Sequence, residues 1–398
     1  MPVRILHVDL DAFFVEVCRQ RQPELREVEL LVVGGRRESR GVVQSASYGA
    51  RRYGVRAGMP IAEAARRCPG ATFVKGRFPD YRDASRAVHT VLRRHSPVVA
   101  MASLDEAYLD YSGTERLWPV SLLPEAEAIR DGVRAATGLD CSVGIGPNRM
   151  VAKLASDHAK PRGLMEVRAG WEEGFLAGLE LRALPGVGPR TAERWTRLGL
   201  TRVAEVQAMR LEELERRVGE SAKWLKLRAH GHGGTALRAA RVAKSVSRET
   251  TFARDLREPG EARRVLDLLA ARVTAQLREE GVEARTLTLK IRWDDFTTRT
   301  RSRTLGEPTA LEGEVLPAAR ALLEPAIAEA LRARHGIRLL GIAATNLLPA
   351  GPADLFEAPG RQRQRALSGV LDRVRGRYGF DAIAPGHLVD RPDGRRED

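Results

Sequence analysis

The amino-acid sequence predicts an α+β protein of several domains, and three observations support this fold class. The chain has 398 residues, which is more than a single hydrophobic core usually spans, so two to four domains are expected. Apolar residues make up 43% and charged residues 30% of the chain, as is typical of folded globular proteins. Strand-like runs and longer stretches with helical periodicity alternate along most of the sequence.

Residues 1–167 are predicted to form an α/β block that begins with the strand "VRILHVDL". Further strands are expected over "VELLVV", "GVVQSAS", "CSVGIG" and "GLMEV", and "VVAMASLD" and "EAYLDYS" are predicted to form a hairpin. Helices are expected over "DAFFVEVCRQ", the start of "YGARRYG", "PDYRDASRAVHTVLRRH", "PEAEAIRDGVRAAT" and "NRMVAKLASDHAK". The last of these is predicted to start after the N-cap residue Asn148 and to end before Pro161.

Residues 168–234 differ from this block, because they contain short helical stretches and glycine turns such as "PGVGP" but no predicted strand. The stretch 235–248 that follows carries four basic residues and no acidic residue. Its first part, residues 235–243, is predicted to be a basic linker.

Residues 244–346 return to a mixed pattern of strand, long helix (261–280), two strands, long helix (311–335) and strand. This order predicts a four-stranded sheet with both helices on one face. Residues 347–398 are predicted to be a tail with one amphipathic helix, "QRALSGVLDRVRGRYG", and a charged end.

The chain is strongly basic, with a net charge of +14 and a pI near 10.3. An excess of this size favours a polyanionic partner, most often nucleic acid. The alternative is a proteome rich in arginine, in which many proteins are basic without binding a polyanion. Charge alone leaves both interpretations open.

Cysteine usage and hydropathy exclude several other classes of protein. Cys18, Cys68 and Cys141 are far apart and form no CxxC pair, which argues against a disulfide framework and a structural zinc site. The longest apolar runs, such as "LLVV", are too short to cross a membrane. The amino terminus has no secretory signal pattern, so a cytoplasmic protein without membrane contact is expected.

Two adjacent carboxylates in "MASLDEAYLD" (101–110) are the first candidate functional site. Neighbouring residues of a strand point to opposite faces of a sheet. The predicted hairpin instead places Asp105 and Glu106 at its reversal, where both can face one point, and Asp9 at the end of the first strand is a third candidate. Three such carboxylates repel one another, and their hard oxygen atoms suit Mg²⁺.

The residues alone leave two alternatives open for this cluster. In the first, Asp105 caps a turn, Glu106 is solvated and Asp9 pairs with an arginine, since acidic residues are common in turns. In the second, Asp11 takes the place of Asp9, because both lie on the same face of the strand.

The segment "SYGARRYG" is predicted to bind phosphate. Ser47 is placed as an N-cap, and Tyr48 and Arg51 lie three residues apart on one helix face. Helix amides beside a guanidinium group favour an anion. Lys153, on the helix that follows Asn148, is interpreted as a solvated charge.

Four segments resemble the Y-family DNA polymerases, and the bacterial DNA polymerase IV branch is the nearest pattern. They occur in the family's order and spacing: "HVDLDAFFVEV" at 7–17, "SYGARRYGVRAGM" at 47–59, "SLDEAYLD" at 103–110 and "VGIGPNRMVAKLASDHAKPRG" at 143–163. The resemblance runs from residue 1 to about residue 346.

The resemblance implies a right-hand polymerase with palm, fingers, a helical thumb and a little-finger domain. The implied boundaries are 1–10 and 78–167 for the palm, 11–77 for the fingers, 168–234 for the thumb, 235–243 for the linker, 244–346 for the little finger and 347–398 for the tail. It implies a monomeric, template-directed DNA polymerase that extends primer-template DNA with deoxynucleoside triphosphates. Low fidelity and translesion synthesis in DNA repair are implied as well.

The family pattern also assigns roles to residues of the candidate site. It implies that Asp9, Asp105 and Glu106 are catalytic and hold two Mg²⁺ ions, with the carbonyl group of Leu10 as a further ligand. It favours Asp9 over Asp11.

The nucleotide pocket follows from the same resemblance. Tyr48 and Arg51 are implied to bind the β and γ phosphates, with Ser45 nearby at a position where threonine is frequent, and Lys160 to bind the triphosphate. Phe14, next to Phe13, matches the aromatic residue that excludes a 2′-hydroxyl group, although an ordinary core aromatic is the alternative for either ring. Small residues near the pocket predict a loose check of base-pair shape: Ala46, Ser47, Gly49, Ala50 and Gly58.

Two sets of residues are predicted to contact the DNA backbone. "LPGVGPRTAERWTRLGL" (184–200) resembles a helix-hairpin-helix, in which Gly186 and Gly188 permit a tight turn beside Arg190. In the last domain, three arginines alternate along one strand and are expected to form a cationic sheet face with no acidic residue nearby: Arg299, Arg301 and Arg303. A solvated face is the alternative.

The segment "PADLFE" (352–357) looks like a degenerate sliding-clamp-binding peptide, with Leu355 and Phe356 as anchors and Pro352 where glutamine is usual. Two other functions compete with the polymerase hypothesis. One is a non-catalytic adaptor of the same fold in a clamp or repair complex, which would not need a repulsive acidic cluster. The other is a palm-fold cyclase or a nucleotidyltransferase without a template, which the helix-hairpin-helix segment at 184–200 and the basic last domain disfavour.

Overall fold

The structure is a computed structural model that describes residues 3–237, 243–351 and 358–383. Its contacts divide the chain into two compact units, Met1–Arg241 and Val242–Asp398. Among the helices of the described residues, none combines the length and the apolar composition needed to cross a membrane.

The first unit contains two sheets surrounded by helices, followed by a helical part. Its elements in chain order are β1 (Ile5–Leu10), α1 (Phe13–Arg21), β2 (Leu31–Val33), β3 (Ser45–Ala46), α2 (Tyr48–Arg52), α3 (Ile61–Arg67), β4 (Thr72–Val74), α4 (Phe78–His95), β5 (Val99–Met101), β6 (Glu106–Asp110), α5 (Leu123–Thr137), β7 (Cys141–Gly146), α6 (Arg149–Ala159), β8 (Leu164–Glu166), α7 (Glu172–Ala177), α8 (Pro189–Arg197), α9 (Val203–Ala208), α10 (Leu211–Val218) and α11 (Ser221–Ala229).

The larger sheet has the strand order β5-β6-β1-β7-β8, so β1 lies at its centre. β1 pairs antiparallel with both β6 and β7. Because successive residues of a strand face opposite sides, Leu6 and Val8 enter the core that α4 and α5 cover. Ile5 and His7 face α6 instead, where Ile5 packs with Ala152. The sheet therefore has two differently covered faces, and Asp9 belongs to the α6 side.

Close packing of α6 on this sheet depends on Gly144 in β7. A Cβ atom at Gly144 would lie 2.1 Å from the Ala152 carbonyl oxygen and 2.2 Å from the Ser156 nitrogen. Gly144 is the register partner of His7 in β1. The glycine thus lets α6 approach the strand that carries the candidate site.

The smaller sheet has the order β3-β2-β4, and α2 directly follows β3 in the chain. α2 begins after Ser47 as predicted, since Ser47 Oγ accepts a hydrogen bond from the Ala50 amide. The strand expected over "GVVQSAS" is shorter than predicted. Val43 exchanges hydrogen bonds with Met59 and Gly58 of a loop, so only the last part of that segment pairs with β2.

The second unit consists of β9 (Ser245–Leu256), α12 (Pro259–Glu279), β10 (Val282–Trp293), β11 (Thr298–Thr309), α13 (Glu312–Ala333), β12 (Ile337–Pro349) and α14 (Pro359–Tyr378). Its sheet is antiparallel with the order β11-β10-β12-β9. One face packs on α12 and α13 in a core that includes Leu266, Leu289 and Leu323. This α+β unit agrees with the predicted pattern.

The helix predicted for the tail is α14, and it packs on this second unit. Arg278 of α12 donates hydrogen bonds of 2.6 and 2.8 Å to the two carboxylate oxygens of Asp372. Arg361 binds Glu307 at 2.7 Å. These contacts hold α14 to α12 and β11 of the second unit.

Replacing Gly144 by alanine tests the close approach of α6. Gly144→Ala should lower the free energy of unfolding by about 1–3 kcal/mol, because the added methyl group overlaps backbone atoms that cannot rotate away. Urea unfolding followed by tryptophan fluorescence measures the change. Gly174→Ala in α7 is the matched control, since no atom lies within 4 Å of its added Cβ. Equal destabilisation by both substitutions would contradict the packing argument.

Candidate active site

Asp9 and Glu106 lie opposite each other on neighbouring strands of the larger sheet. They are register partners of the β1–β6 pair, so their side chains share one face. Together with His7, each offers a ligand atom within 4.8 Å of the others. Two unit charges ~4 Å apart repel by roughly 4 kcal/mol at an effective dielectric constant of 20, so this arrangement needs compensating cations.

Asp105 lies in the predicted reversal, between the end of β5 and the start of β6. Its backbone carbonyl group accepts a hydrogen bond of 2.9 Å from the Leu10 amide, and its carboxylate accepts one from the Ser103 hydroxyl group. Asp105 lines the same cleft as Asp9 and Leu10. It lies outside the tight group that His7 forms with the other two acids, so the structure brings two of the three predicted carboxylates into direct proximity.

Two lysines from one side of α6 contact these two acids. Lys153 Nζ lies 2.5 Å from Glu106 Oε1, and Lys160 Nζ lies 2.8 Å from Asp9 Oδ2. The interpretation of Lys153 as a solvated charge is therefore wrong. The helix packs so closely on the sheet that its lysine reaches the neighbouring strand, which the sequence spacing does not reveal.

Burial and charge act differently on the two acids. Asp9 is only 5% exposed, and burial raises the pKa of Asp9 to about 7 although the Lys160 ammonium group lowers it. The His7 imidazole and the Lys153 ammonium group lower the pKa of Glu106 to about 2, against the effect of burial. His7 Nε2 lies 3.6 Å from Glu106 Oε2, slightly beyond hydrogen-bond distance.

His7 is a residue of this site that the sequence analysis did not identify. It is fully buried, its Nδ1 lies 2.7 Å from Ser156 Oγ, and Nε2 has no hydrogen-bond partner. Burial lowers the pKa of His7. The strand period was the available signal, since His7 stands two residues before Asp9 and must share its face.

Asp11, the alternative to Asp9, is held away from the acid pair. Its carboxylate accepts hydrogen bonds from Tyr48 Oη at 2.9 Å, from Ser142 Oγ at 3.1 Å and from the Arg162 amide at 2.8 Å. β1 ends at Leu10, so the chain leaves the strand before Asp11 and the expected shared face does not extend to it. Asp11 connects three segments around the cleft.

The donor set fits a divalent metal ion. Asp9, Glu106 and Asp105 supply carboxylate oxygens, and Leu10 lines the same cleft, so hard oxygen ligands predominate, as Mg²⁺ requires. Both closely spaced acids are already matched to positive charge by lysines. The site is thus built for cationic charge.

The residues predicted for the nucleotide pocket line one cleft with the acids. It is formed by Asp9, Leu10, Ala12, Phe13, Phe14, Gln44, Ser45, Tyr48, Arg51, Ala57, Asp105 and Lys160. The Arg51 guanidinium group lies 4.8 Å from the centre of the Tyr48 ring, so the two share a helix face as predicted. The Arg51 Nε atom donates to the Ala46 carbonyl group at 2.9 Å.

Phe13 and Phe14 occupy different environments at the start of α1. Phe13 is 2% exposed and belongs to the core, whereas Phe14 is partly buried and its ring meets Tyr81 edge-on at 4.5 Å. Both rings border the cleft. A side chain fixed by aromatic packing on one side presents a rigid surface on the other.

The glycine turn of the helical part has the predicted form. Gly186 has a φ angle of 102°, a left-handed conformation that glycine adopts without strain. Gly188 is the N-cap residue of α8, and Arg190 lies in the first turn of that helix and is exposed. Contact of this turn with a DNA phosphate stays a prediction.

The three arginines of β11 alternate as predicted, but the expectation that no acidic residue lies nearby is wrong. Arg301 is the register partner of the buried Leu289, so these side chains point to the helix-covered side of the sheet. Glu329 of α13 lies 2.9 Å from Arg301 and 3.5 Å from Arg299. The acid comes from a helix later in the chain, which a strand pattern cannot show. Arg303 is exposed on the same edge strand, and DNA contact by the three stays a prediction.

The predicted clamp-binding anchors Leu355 and Phe356 lie outside the described residues. Their assignment stays a prediction from the sequence.

Comparisons with known proteins identify the family. Residues 8–157 match the model of the impB/mucB/samB family, and residues 243–356 match the model of its C-terminal domain. DNA polymerase IV of Dehalococcoides mccartyi (strain CBDB1) is 38% identical over 391 residues, which cover 98% of each chain. DNA polymerase IV of Caulobacter vibrioides is 35% identical over 387 residues, which cover 97% of this chain and 94% of that protein.

A solved structure gives the same result. A Y-family DNA polymerase chimera superposes with a TM-score of 0.74 at 25% identity and covers 87% of this chain and 99% of its own. The chain belongs to the Y-family of DNA polymerases, in the DNA polymerase IV branch, and is a DNA-directed DNA polymerase. The right-hand fold class inferred from the sequence is confirmed, and the second unit corresponds to the little finger.

Removing the Ser156 hydroxyl group tests its hydrogen bond with His7, whose imidazole lies beside Glu106. Ser156→Ala should lower the free energy of unfolding by about 1–3 kcal/mol, because the buried His7 Nδ1 loses its hydrogen-bond partner. Urea unfolding measures this loss. Thr196→Ala in α8 removes an exposed hydroxyl group that donates to Ala192 and should change stability by less than about 0.5 kcal/mol. A Ser156→Ala variant as stable as this control would show that this hydrogen bond contributes nothing.

Proposed function

We propose that this polymerase adds deoxynucleotides to a primer 3′-end by phosphoryl transfer assisted by two Mg²⁺ ions, with low fidelity and across template lesions. The single observation that supports this most is the pair Asp9 and Glu106, with ligand atoms within 4.8 Å on adjacent strands. They border a cleft that carries cationic and aromatic side chains suited to a nucleoside triphosphate. Divalent-metal dependence, DNA and nucleotides follow from the family.

The proposed metal ligands are the carboxylates of Asp9, Asp105 and Glu106 and the carbonyl oxygen of Leu10. When bound, the two ions supply Lewis-acid chemistry that lowers the pKa of the primer hydroxyl group and neutralises the triphosphate and its leaving group. The protein's own contribution is position. Asp9 and Glu106 are fixed by strand register, and Asp105 is fixed by the bond between its carbonyl group and Leu10.

The triphosphate is proposed to lie between the fingers and α6. Tyr48 and Arg51 approach it from α2, with Ser45 beside them, and Lys160 approaches it from the end of α6. The Arg51 guanidinium group offers several N–H donors in one plane, which suits phosphate oxygens. Tyr48 is oriented by its hydrogen bond to Asp11. These residues bind and orient the nucleotide, and no chemical step is assigned to them.

Fidelity and sugar selection are proposed to follow from the shape of the same cleft. The small residues predicted to border the pocket do not line the cleft, since Ala46 and Ala50 are buried in a separate core, so the proposed loose check of base-pair shape is not carried by them. Phe14, braced by Tyr81, is proposed to exclude a 2′-hydroxyl group, and Phe13 supports it from the core. Loose checking of the base pair is what tolerates a damaged template.

The proposed domains are a palm over 1–10 and 78–167, fingers over 11–77, a thumb over 168–234 and a little finger over 244–346. The larger sheet carries the proposed catalytic residues, and the smaller sheet with α2 carries the phosphate-binding face. The duplex backbone is proposed to contact two sets of residues in these domains: Gly186, Gly188 and Arg190, and Arg299, Arg301 and Arg303.

Primer extension tests the proposed function. Wild-type protein with Mg²⁺ should extend a primer on an undamaged template and past an abasic site, and Asp105→Ala should lose extension by at least about 10³-fold, because transition-state charge stabilisation is lost. Gel analysis of the products measures both. A wild-type protein that gives no template-dependent product would refute the proposal, and a fully active Asp105→Ala variant would refute the assignment of that ligand.

Sugar selection gives a second test. Phe14→Ala should raise ribonucleotide incorporation relative to deoxynucleotide incorporation by about tenfold or more, because the pocket no longer rejects the extra hydroxyl group by shape. Single-turnover incorporation of each nucleotide measures the ratio. Retained deoxynucleotide incorporation is the internal control for folding. An unchanged ratio would remove Phe14 from this role.

A further inference from the structure

We propose that Lys153 and Lys160 act as counter-cations that neutralise Glu106 and Asp9 while no divalent metal is bound, and that Lys153 thereby limits the affinity of the site for its metal. This inference rests on the proposed function, because it concerns the same carboxylates. It assigns a role to Lys153 that differs from binding nucleotide or DNA.

The geometry pairs each acid with its own lysine. Lys153 lies within α6 and reaches Glu106 at 2.5 Å, and Lys160, the C-cap residue of α6, reaches Asp9 at 2.8 Å. The two lysines stand seven residues apart, which is two helical turns, so both project from one side of the helix. A single rigid element therefore supplies both positive charges to the sheet.

Each of the two acids is compensated by a lysine without a metal ion. Asp9 and Glu106 each face one ammonium group, and the two ammonium groups together carry the same charge as one divalent cation. Asp9 is 5% exposed and the Glu106 side chain is 27% exposed. Water alone therefore stabilises their negative charges poorly. Entry of a divalent ion must therefore displace positive charge that is already in place.

The two lysines differ in what displacement leaves behind. Lys160 has a second carboxylate partner, Asp157, at 3.0 Å, and can leave Asp9 without losing all compensation. Among the described residues, Glu106 is the only carboxylate within 4.0 Å of Lys153 Nζ. The Lys153 side chain is only 25% exposed, so its displacement from Glu106 leaves an ammonium group with no carboxylate in ion-pair contact, since Asp157 and Asp9 act on it only at longer range. Lys153 is for this reason the lysine that opposes metal entry.

Mn²⁺ binding to the full chain without DNA or nucleotide tests this role. Lys153→Met keeps the length of the side chain and removes its charge, so Mn²⁺, measured by electron paramagnetic resonance, should bind about tenfold more tightly, which equals ~1.4 kcal/mol. The thermal midpoint in EDTA should fall, because Glu106 is then uncompensated. Saturating Mn²⁺ should raise the midpoint more than in wild type, since a ligand stabilises the state that it binds.

Two variants serve as controls. Lys153→Arg keeps the charge and should restore wild-type Mn²⁺ affinity. Lys290→Met removes a lysine–carboxylate pair of the second unit, in which Lys290 binds Glu249 at 2.8 Å, and should leave Mn²⁺ binding unchanged. Glu106→Gln in the Lys153→Met background should abolish the gain in affinity.

The outcomes separate this inference from the proposed function. If wild type binds Mn²⁺ and extends primers but Lys153→Met binds Mn²⁺ equally or more weakly, the counter-cation role is overturned and the proposed function stands. If wild type binds no Mn²⁺, the proposed metal site fails and the inference fails with it. A gain in affinity that survives Glu106→Gln would also overturn the inference, because the lysine would then act elsewhere.

Discussion

The repulsion between Asp9 and Glu106 is the constraint on which the rest of the first unit depends. Strand register places these acids side by side at the centre of a sheet, where burial reduces the stabilisation of their charges by water. α6 supplies the compensating charge, and it can do so only because Gly144 leaves room for its backbone. A glycine in a central strand, a helix laid close to it and two lysines on that helix thus form one connected solution to a single electrostatic problem.

The cleft beside these acids combines parts that come from distant stretches of sequence. Asp11 binds Tyr48, Ser142 and the backbone of Arg162, so one carboxylate joins the end of β1 to α2, to β7 and to the segment that follows α6. Such a shared acceptor keeps α2 and the larger sheet in a fixed relation within this unit. Under the proposed function, Asp11 therefore fixes the position of Tyr48 beside the nucleotide.

The sequence predicts much of the fold because strand alternation, capping residues and glycine turns act over short distances. The hairpin at Asp105 and the caps at Ser47 and Asn148 are of this kind. Contacts between elements could not be predicted from the sequence. The pairing of Lys153 with Glu106 and of Glu329 with Arg301 depends on how closely a helix packs and which sheet face it covers. Strand alternation places His7 on the same face as Asp9, but its contact with Glu106 depends on the pairing of β1 with β6.

Docking of α14 changes how the segment that carries Leu355 and Phe356 should be regarded. β12 ends at Pro349 and α14 starts at Pro359, and α14 is joined to α12 by the ion pair between Arg278 and Asp372. Shortening the protein after β12 would remove Leu355 and Phe356 together with the Arg278–Asp372 ion pair. A truncated protein would therefore not distinguish loss of partner binding from loss of stability.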